Sequence, residues 1–246
     1  MIDGRLNIVV PMAGLGRRFV DAGFTRPKPL IDVRGRPMYA WATESLPLDG
    51  STRLIFVLLA SLPECLELTR DIERRYAKYS PIVLTVPEPT AGQAITVLRA
   101  KEFIDTGEPL LIHNADTAFE VDHAWIETAS RDGLDGALLV FRSDEKRWSY
   151  SRENAAGFVE EVREKDVISP WATTGTYWFR RGADFVRLAE SRVSAHRRDA
   201  AEYYVGPLYT DLIAEGGKVR NFPVLTLYGF GTPDDLSATL KELETP

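Results

Sequence analysis

A short apolar strand that runs directly into glycines is the feature that most restricts how this chain can fold. The segment Leu6–Val10 reads LNIVV, a pattern typical of a strand covered on both faces. It leads into Met12-Ala13-Gly14-Leu15-Gly16, where the backbone must turn sharply and leaves room for another group to approach. A strand and loop of this kind indicate a covered sheet with a ligand at the end of the strand.

Three cations follow this loop, at Arg17, Arg18 and Lys28. Backbone N–H groups and positive side chains both attract anions, so the loop suits a polyphosphate. Two standard phosphate motifs are absent. The dinucleotide fingerprint needs a small residue where Phe19 stands, and no Gly-Lys-Ser/Thr closes a P-loop. A tight βα turn with surface arginines is the structural alternative.

Strands and helices alternate through the first half of the chain. Apolar periodicity predicts strands at 53–60, 82–86 and 109–113, separated by helices that begin at Pro37 and that span 63–79 and 92–103. This alternation predicts an α/β fold. We expect a single-domain, Rossmann-like three-layer sandwich with a mostly parallel central sheet and helices on both faces.

The second half is less regular. Strands are predicted at 137–142, 157–163, 174–179 and 219–227, and helices at 183–190 and 200–213. No internal repeat and no linker rich in Pro, Gly or Ser divides the chain. We therefore predict one domain over residues 1–246, with the second half adding a binding region rather than an independent unit.

Composition excludes several classes of protein. The 246 residues are 44% hydrophobic and 27% charged, as in a globular protein with a substantial core, and the net charge of -6 argues against a nucleic-acid binder. No apolar run is long enough to cross a bilayer and no secretory signal precedes Leu6. The single Cys65 excludes an internal disulfide and a cysteine zinc cluster. We expect a cytoplasmic protein without a membrane partner; the sequence does not indicate its oligomeric state.

Two further turns follow predicted strands. Pro89–Ala94 reads PTAGQA and His113–Asp116 reads HNAD, and both should lie at the carboxyl edge of the sheet, where open α/β folds bind ligands. Mg²⁺ prefers oxygen ligands and binds through one or two carboxylates plus substrate phosphate, so Asp116 is a candidate ligand. The structural alternatives are a plain helix start capped by Thr90 and a turn residue at Asp116.

Three motifs lie in the second half. Glu160–Lys165 is a charge run, which alone indicates a solvated face; Thr173–Tyr177 reads TTGTY; and Gly229–Leu236 reads GFGTPDDL. Tyr150 lies near the first two in sequence and is a candidate for lining the same region.

In this order the motifs resemble those of the sugar-phosphate nucleotidyltransferases, a family with a GT-A-like α/β fold. The resemblance rests on A-G-x-G-x-R-F at 13–19, on P-K-P-L at 27–30 and on the five later motifs, and it spans nearly the whole chain. It implies an enzyme that transfers a nucleoside monophosphate from a nucleoside triphosphate to a phosphorylated small molecule and releases pyrophosphate. It also implies Mg²⁺ as cofactor, nucleotide binding mainly by 1–136 and acceptor binding mainly by 137–246.

The resemblance also implies residue roles. Arg18, Lys28 and Asp116 would be catalytic, and Asp116 would hold the metal. Nucleotide binding would fall to Met12, Ala13, Gly14, Leu15, Gly16, Arg18, Lys28, Thr90, Ala91, Gly92, Gln93, Ala115 and Asp116. Acceptor binding would fall to Glu164, Lys165, Thr174, Gly175 and Tyr150.

One position departs from the family pattern. Many members carry an Asp two residues before the glycine of the G-T-P motif, as a second metal ligand, but Gly229 stands there in this chain. Asp234 or Asp235 is a possible substitute, although both also suit the acidic first turn of a helix capped by Thr232.

Several functions remain open from the sequence. The favoured donor is a pyrimidine triphosphate (CTP, UTP or dTTP), and the favoured acceptor is a sugar phosphate, as in the synthesis of cell-surface polysaccharides. A cytidylyltransferase acting on a phosphocholine-like compound, a phosphonate or another phosphorylated alcohol or amide is the first alternative. A related-fold glycosyltransferase is the second alternative, but it would need a D-x-D metal motif, and Asp116-Thr117-Ala118 lacks the second Asp. A non-catalytic homologue is a further alternative, because Gly229 stands where a metal-binding Asp is expected.

Overall fold

The computed structural model describes residues 4–199 and 201–244. Its strands are β1 (Asn7–Met12), β2 (Asp32–Val33), β3 (Arg36–Pro37), β4 (Arg53–Leu59), β5 (Ile82–Val86), β6 (Leu110–His113), β7 (Thr117–Glu120), β8 (Gly136–Arg142), β9 (Ser149–Glu153), β10 (Val159–Glu164), β11 (Trp171–Phe179), β12 (Val219–Pro223) and β13 (Thr226–Gly229). Its α-helices are α1 (Arg17–Asp21), α2 (Met38–Glu44), α3 (Cys65–Arg75), α4 (Gln93–Leu98), α5 (Lys101–Ile104), α6 (Ala124–Arg131), α7 (Gly182–Ser194), α8 (Leu208–Ala214) and α9 (Pro233–Glu242). Short 3₁₀ turns lie at Lys28–Leu30 and Ala77–Tyr79.

One large mixed sheet organises the protein. Strands β5, β4, β1 and β6 are neighbours and run parallel; β11 lies antiparallel beside β6, and β8 and β12 continue the sheet beyond β11. Strands joined by helical crossovers pair in parallel because the crossover returns the chain to the same end of the sheet. The predicted α/β fold with a mostly parallel central sheet is therefore confirmed.

The two faces of this sheet carry separate apolar cores. Side chains of β1 alternate between them: Val9 packs under α4, α5, α7 and α8, whereas Ile8 and Val10 pack under α2, α3 and α6. All three are fully buried, as the run at Leu6–Val10 predicts for a strand covered on both faces. The result is three layers, helix, sheet and helix.

The β9–β10 hairpin forms one side of an opening at the edge of the sheet, and this opening is a cleft. Tyr150 of β9 pairs with Ala172 of β11. This contact lies on the same edge of β11 as β6, whose His113 pairs with Thr176 nearer the end of β11. β6 therefore ends where the hairpin begins. The chain leaving β6 and the start of β9 face one another across this gap.

A second, two-stranded sheet returns the C-terminal part of the described chain to this opening. β13 pairs antiparallel with β7, with Gly229 opposite Thr117, and the amide of Phe230 donates to the Asp116 carbonyl at 2.8 Å. A third apolar cluster, which includes Phe19, Met38, Phe230 and Leu236, fixes α1 and α9 beneath it. This pairing brings residues more than 100 positions apart side by side.

Several predicted elements differ from the structure. The helix expected at 92–103 is divided into α4 and α5, and the strand expected at 219–227 is divided into β12 and β13. The helix expected at 200–213 exists only as α8; Ala200 lies outside the described residues, and 201–207 form no helix. Tertiary contacts override the helical propensity of this segment: the backbone of Tyr203 forms hydrogen bonds with the backbone of Ala91 and Ala94 instead of the bonds within a helix.

Within the described ranges, the helices are too short or too polar to serve as membrane spans.

Candidate functional site

A cleft of about 820 Å³ opens at the carboxyl ends of β1 and β6. One wall consists of the loop after β1, Lys28, the turn before α4 and the segment after β6. The facing wall comes from the β9–β10 hairpin, from β11 and from the loop before α8. Ligands of open α/β sheets bind at this edge because the loops of adjacent strands diverge there.

Most of the residues predicted from the sequence line this cleft. They are Met12, Ala13, Gly14, Leu15, Gly16, Arg18, Lys28, Thr90, Gly92, Gln93, Ala115, Asp116, Glu164, Lys165 and Gly175. They come from six separate segments, so the tertiary fold has brought together motifs that the sequence only placed in order.

An ion pair joins two of the predicted catalytic residues. Lys28 Nζ lies 2.5 Å from Asp116 Oδ2 and also donates to the Gly231 carbonyl at 3.1 Å. Burial opposes ionisation of Asp116, but Lys28 outweighs it, so the pKa of this carboxyl lies below its usual value. The Asp116 side chain is 30% exposed and faces the cleft. The Lys28 ammonium therefore lies between the Asp116 carboxylate and the Gly231 carbonyl.

The glycine loop and Lys28 pack closely. Gly16 has φ 61°, and a Cβ built on it would lie 3.1 Å from the Lys28 Cβ. Pro27 precedes the short 3₁₀ turn that presents Lys28. The two cation-bearing segments identified in the sequence therefore form one surface of the cleft.

A side-chain bridge crosses from the turn before α4 to the segment after β6. Gln93 Nε2 donates to Asn114 Oδ1 at 2.5 Å. Asn114 fits only because Gly175 on β11 has no side chain, since a Cβ there would lie 2.1 Å from Asn114 Nδ2. In this structure Gly175 makes room for Asn114.

The facing wall carries a buried carboxylate beside an amine. Glu164, whose side chain is 8% exposed, accepts a hydrogen bond from the Ser149 hydroxyl. Burial raises the pKa of Glu164, and the Ser149 hydrogen bond and the Lys165 charge only partly oppose the rise. Lys165 Nζ donates to the Tyr204 hydroxyl at 2.9 Å, and this contact raises the pKa of Lys165.

Three of the residues predicted to bind the nucleotide or the acceptor do not line the cleft, and these three predictions are corrected; the two candidate metal ligands of α9, Asp234 and Asp235, do not line it either. Tyr150 is fully buried and its hydroxyl donates to the Glu145 carbonyl at 2.7 Å. Thr174 is buried and bonds to Thr176, because side chains on β11 alternate and the cleft receives Thr173, Gly175 and Tyr177 instead. Ala91 is exposed outside the cleft, and its carbonyl accepts from the Tyr203 amide.

The two acidic residues of α9 differ in position. Asp234 is exposed. The Asp235 side chain, 15% exposed, is held at both oxygens by Arg147 Nη1, at 2.8 and 2.7 Å. Although burial opposes ionisation, the Arg147 contact brings the pKa of Asp235 below its usual value. Asp235 lies next to Gly231, which lines the cleft beside Asp116.

Sequence reasoning missed several lining residues. Arg147 and Ser149 belong to β9 and the loop before it, which were not predicted. Glu202 and Tyr204 fell within the wrongly predicted helix at 200–213. Trp148 also lines the cleft, and its position two residues before the candidate Tyr150 is a sequence signal for it. No local pattern marks Tyr204, because its position depends on the backbone pairing at Tyr203.

His113 stands behind the cleft wall and holds no free ring nitrogen. Nδ1 contacts the Thr176 hydroxyl and Nε2 contacts the Thr117 carbonyl, both at 2.8 Å. Burial lowers the pKa of His113 to about 4. The ring is therefore neutral and fully bonded at neutral pH.

No cluster of three or more His, Cys, Asp or Glu side chains suited to a metal occurs in residues 4–199 and 201–244. Any divalent cation in the cleft would need most of its ligands from a substrate or from water. This is how Mg²⁺ usually binds in sites for nucleotides.

Comparison with known proteins identifies the class to which this fold belongs. No protein-family model matches the chain. The structure of the nucleoside-diphosphate-sugar pyrophosphorylase from Vibrio cholerae RC9 superimposes with a TM-score of 0.82 and 25% identity, covering 95% of this chain and 99% of that one. The predicted resemblance to sugar-phosphate nucleotidyltransferases is confirmed, and the chain is related to enzymes of the nucleotidyl-transfer type.

Individual relatives carry names of the same kind. The chain is 27% identical over 167 residues to the probable mannose-1-phosphate guanylyltransferase 3 of Oryza sativa subsp. japonica, covering 66% of this chain and 46% of that protein. It is 29% identical over 131 residues to the N-acetylmuramate alpha-1-phosphate uridylyltransferase of Neisseria meningitidis serogroup B, covering 51% and 53%. The chain thus spans about half the length of the curated relatives it matches.

Proposed function

We propose that this protein transfers a nucleoside monophosphate from a nucleoside triphosphate to a sugar phosphate and releases pyrophosphate. The observation that carries the proposal is the Lys28–Asp116 pair. It joins the 3₁₀ turn that packs against the glycine loop to the segment after β6, inside a cleft whose opposite wall holds Glu164 and Lys165. The triphosphate would lie along the first wall and the acceptor along the second. Residues 1–136 would mainly bind the nucleotide and 137–246 mainly the acceptor, with Gly231 returning to the nucleotide side.

The reaction needs no general base. A phosphate monoester has a second pKa of about 6 and is largely a dianion at neutral pH. One of its oxygens would form a bond to the α-phosphorus as the bond to the bridging β-phosphate oxygen breaks and pyrophosphate leaves. His113, neutral and bonded at both nitrogens, is not required for a proton transfer in this step.

The chemical obstacle is the approach of two anions. Arg18 and Lys28 would neutralise the triphosphate, and Lys165 would bind the acceptor phosphate, since positioned cations stabilise the charge that develops on the reacting oxygens. Glu164, with its oxygen near the cleft surface, would accept a hydrogen bond from an acceptor hydroxyl. A sugar phosphate offers both groups.

A divalent cation such as Mg²⁺ fits the donor set beside Lys28. Asp116 Oδ2 and the Gly231 carbonyl both contact the Lys28 ammonium, so two oxygen donors already converge on one cation. Asp116 would hold the metal, which would supply further neutralisation of phosphate charge when bound.

The donor base and the acceptor define the finer proposal. A pyrimidine triphosphate is the proposed donor, supported by the Neisseria uridylyltransferase among the relatives; the guanylyltransferase relatives make GTP the competing candidate. An activated sugar of this kind would serve glycosyl transfer, for example to cell-surface polysaccharides.

A pyrophosphate-release screen tests the proposal. The four ribonucleoside triphosphates and dTTP are combined with Mg²⁺ and a panel of sugar phosphates, phosphocholine and a phosphonate. We expect release that requires both a triphosphate and a sugar phosphate, and that is lost in Asp116→Ala. Near-normal release by the Asp116→Ala protein would contradict the assigned role of Asp116. Release only with phosphocholine or the phosphonate would replace the sugar acceptor, and no release with any pair would overturn the proposal.

A further inference from the structure

A buried arginine on α7 holds the loop before α8 at two points. Every nitrogen of the Arg192 guanidinium donates a hydrogen bond. Nη1 donates to Asp199 Oδ2 at 2.6 Å, and Nη2 donates to the Pro207 carbonyl at 2.9 Å. Nε and Nη2 also form a bidentate pair with the Asp211 carboxylate of α8. One side chain therefore fixes both ends of the segment between Asp199 and Pro207 against two helices.

Two residues of this segment face the cleft. Glu202 and Tyr204 line it, whereas Arg192 does not. The backbones of Asp199 and Glu202 bond to each other at 3.0 and 3.2 Å, so the position of Glu202 follows that of Asp199. The Tyr204 hydroxyl accepts from Lys165 Nζ at 2.9 Å, and this ammonium lies 5.0 Å from the centre of the Tyr204 ring. The loop therefore contacts the amine proposed to bind the acceptor phosphate.

The burial of charge in this network opposes folding. Buried ion pairs often add no net stability, because the cost of desolvation offsets the attraction between the charges. Burial raises the pKa of Asp199, and the Arg192 charge only partly opposes the rise. A planar guanidinium nevertheless directs its donors along fixed lines, which an ammonium does not. The network thus defines the geometry of the loop, which is what one wall of a binding site requires.

We propose that Arg192 is a positioning residue for acceptor binding. By holding Asp199 and Pro207, it keeps Tyr204 at the cleft. Tyr204 in turn orients the Lys165 ammonium, which would bind the acceptor phosphate. This inference rests on the proposed function and deepens it, because it makes a residue outside the cleft a determinant of acceptor affinity. The triphosphate would lie along the other wall, so its affinity should change much less.

Two variants alter this network without removing its central charge. Arg192→Lys keeps a cation beside the carboxylates but cannot reproduce the planar set of donors. Asp199→Asn keeps the pair between Arg192 and Asp211 and weakens only one end of the segment. Arg187→Lys is the matched control, because Arg187 lies on the same helix, is exposed, pairs with Glu215 at 2.8 and 2.7 Å and does not line the cleft.

Steady-state pyrophosphate release measures the KM for each substrate, with the triphosphate and sugar phosphate identified in the screen above. Arg192→Lys and Asp199→Asn should each raise the KM for the sugar phosphate by roughly 10-fold, because small displacements of a positioned group strongly weaken productive binding. The KM for the triphosphate should change much less, and Arg187→Lys should leave both values unchanged. Equal increases in the two KM values would indicate general loosening and would overturn the inference.

Peptide-resolved hydrogen exchange of the ligand-free protein tests the same contacts without turnover. Amides of residues 201–207 should exchange faster in Arg192→Lys and Asp199→Asn than in the wild type, whereas those of β1 and β4 should not change. Unchanged exchange in 201–207 would overturn the inference. If the wild type releases pyrophosphate while Arg192→Lys keeps the wild-type KM for the sugar phosphate, only this inference fails. No release by the wild type with any pair would overturn the proposed function, and this inference with it.

Discussion

Gly92 lies directly against the backbone of Tyr203. A Cβ on Gly92 would be 2.6 Å from both the amide nitrogen and the carbonyl oxygen of Tyr203, and Gly92 has φ 128°. On either side, the Tyr203 amide donates to the Ala91 carbonyl and the Ala94 amide donates to the Tyr203 carbonyl, each at 2.9 Å. The turn proposed to approach the nucleotide is thus fastened to the loop that carries Tyr204, on the proposed acceptor wall.

Gly92→Ala should loosen both walls of the cleft. The new methyl group must displace backbone, and the backbone conformation itself is strained for alanine, so we expect a loss of roughly 1–3 kcal/mol in the free energy of unfolding. Urea unfolding followed by circular dichroism measures it. Gly107→Ala is the control, since nothing lies within 4 Å of a Cβ there and φ is not positive. Equal stability of the two variants would show that the contact can be relieved without cost.

Lys28→Ala and Lys165→Ala should separate rate from acceptor affinity. Lys28 lies at the Asp116 pair, where charge would develop, so its loss should lower kcat by about 10²–10³-fold. Lys165 lies on the facing wall, so its loss should mainly raise the KM for the sugar phosphate by roughly 10- to 100-fold. Steady-state kinetics on both substrates measure the two effects. Lys146→Ala, a nearby lysine outside the lining, is the control, and a reversed pattern would exchange the two roles.

Glu164→Gln should stabilise the fold while weakening acceptor binding. Burial in the folded protein raises the pKa of Glu164 above its usual value of 4.5. The folded state therefore prefers the protonated form, and the free energy of unfolding falls as the pH rises through the raised pKa. At neutral pH the uncharged amide avoids this cost and the thermal midpoint should rise; the gain should vanish as the pH falls toward 4.5.

The same variant should raise the KM for the acceptor, because an amide accepts a hydroxyl hydrogen bond less strongly than a carboxylate does. Glu160→Gln is the control, on an exposed position of the same strand. A lower thermal midpoint in Glu164→Gln at neutral pH would contradict the assigned burial cost.

Acid should destabilise the protein through His113. The unfolded ring takes up a proton below about pH 6.5, but the folded ring does so only near pH 4, because burial lowers its pKa against the pull of the Thr117 carbonyl and Asp116. The free energy of unfolding should therefore fall by about 3 kcal/mol across this window. Urea unfolding at intervals of pH measures the fall.

Nuclear magnetic resonance of the ring nitrogens assigns this effect. Burial also lowers the pKa of His123, so the His123→Gln variant is used to remove that contribution. A His113 ring that titrates near pH 6.5 would disprove the explanation.

The strands of the parallel half of the sheet were accessible from the sequence because apolar periodicity reports burial locally. β1, β4 and β6 read as continuous apolar runs, as strands covered on both faces do. β5, the edge strand, reads as apolar apart from the exposed Thr85. β9 was missed because its residues, Ser149–Glu153, are largely polar: Ser149 lines the cleft, Arg152 is exposed and Glu153 is half-buried. Pairing with β10 and β11, not composition, makes this segment a strand.

The sequence by itself placed the glycine loop, the cations after it and Asp116 next to the ends of strands, because each follows a strand whose apolar pattern is local. The Glu164–Lys165 pair was singled out only by the family resemblance. Only the tertiary structure decided that Tyr150 and Thr174 point away from the cleft, that Tyr204 and Arg147 enter it, and that Asp235 is held by Arg147 while Asp234 is exposed. Those outcomes depend on strand register and on the β7–β13 pairing, which join segments more than 100 residues apart. Contacts over such distances are set by how the whole core packs, and no short pattern encodes them.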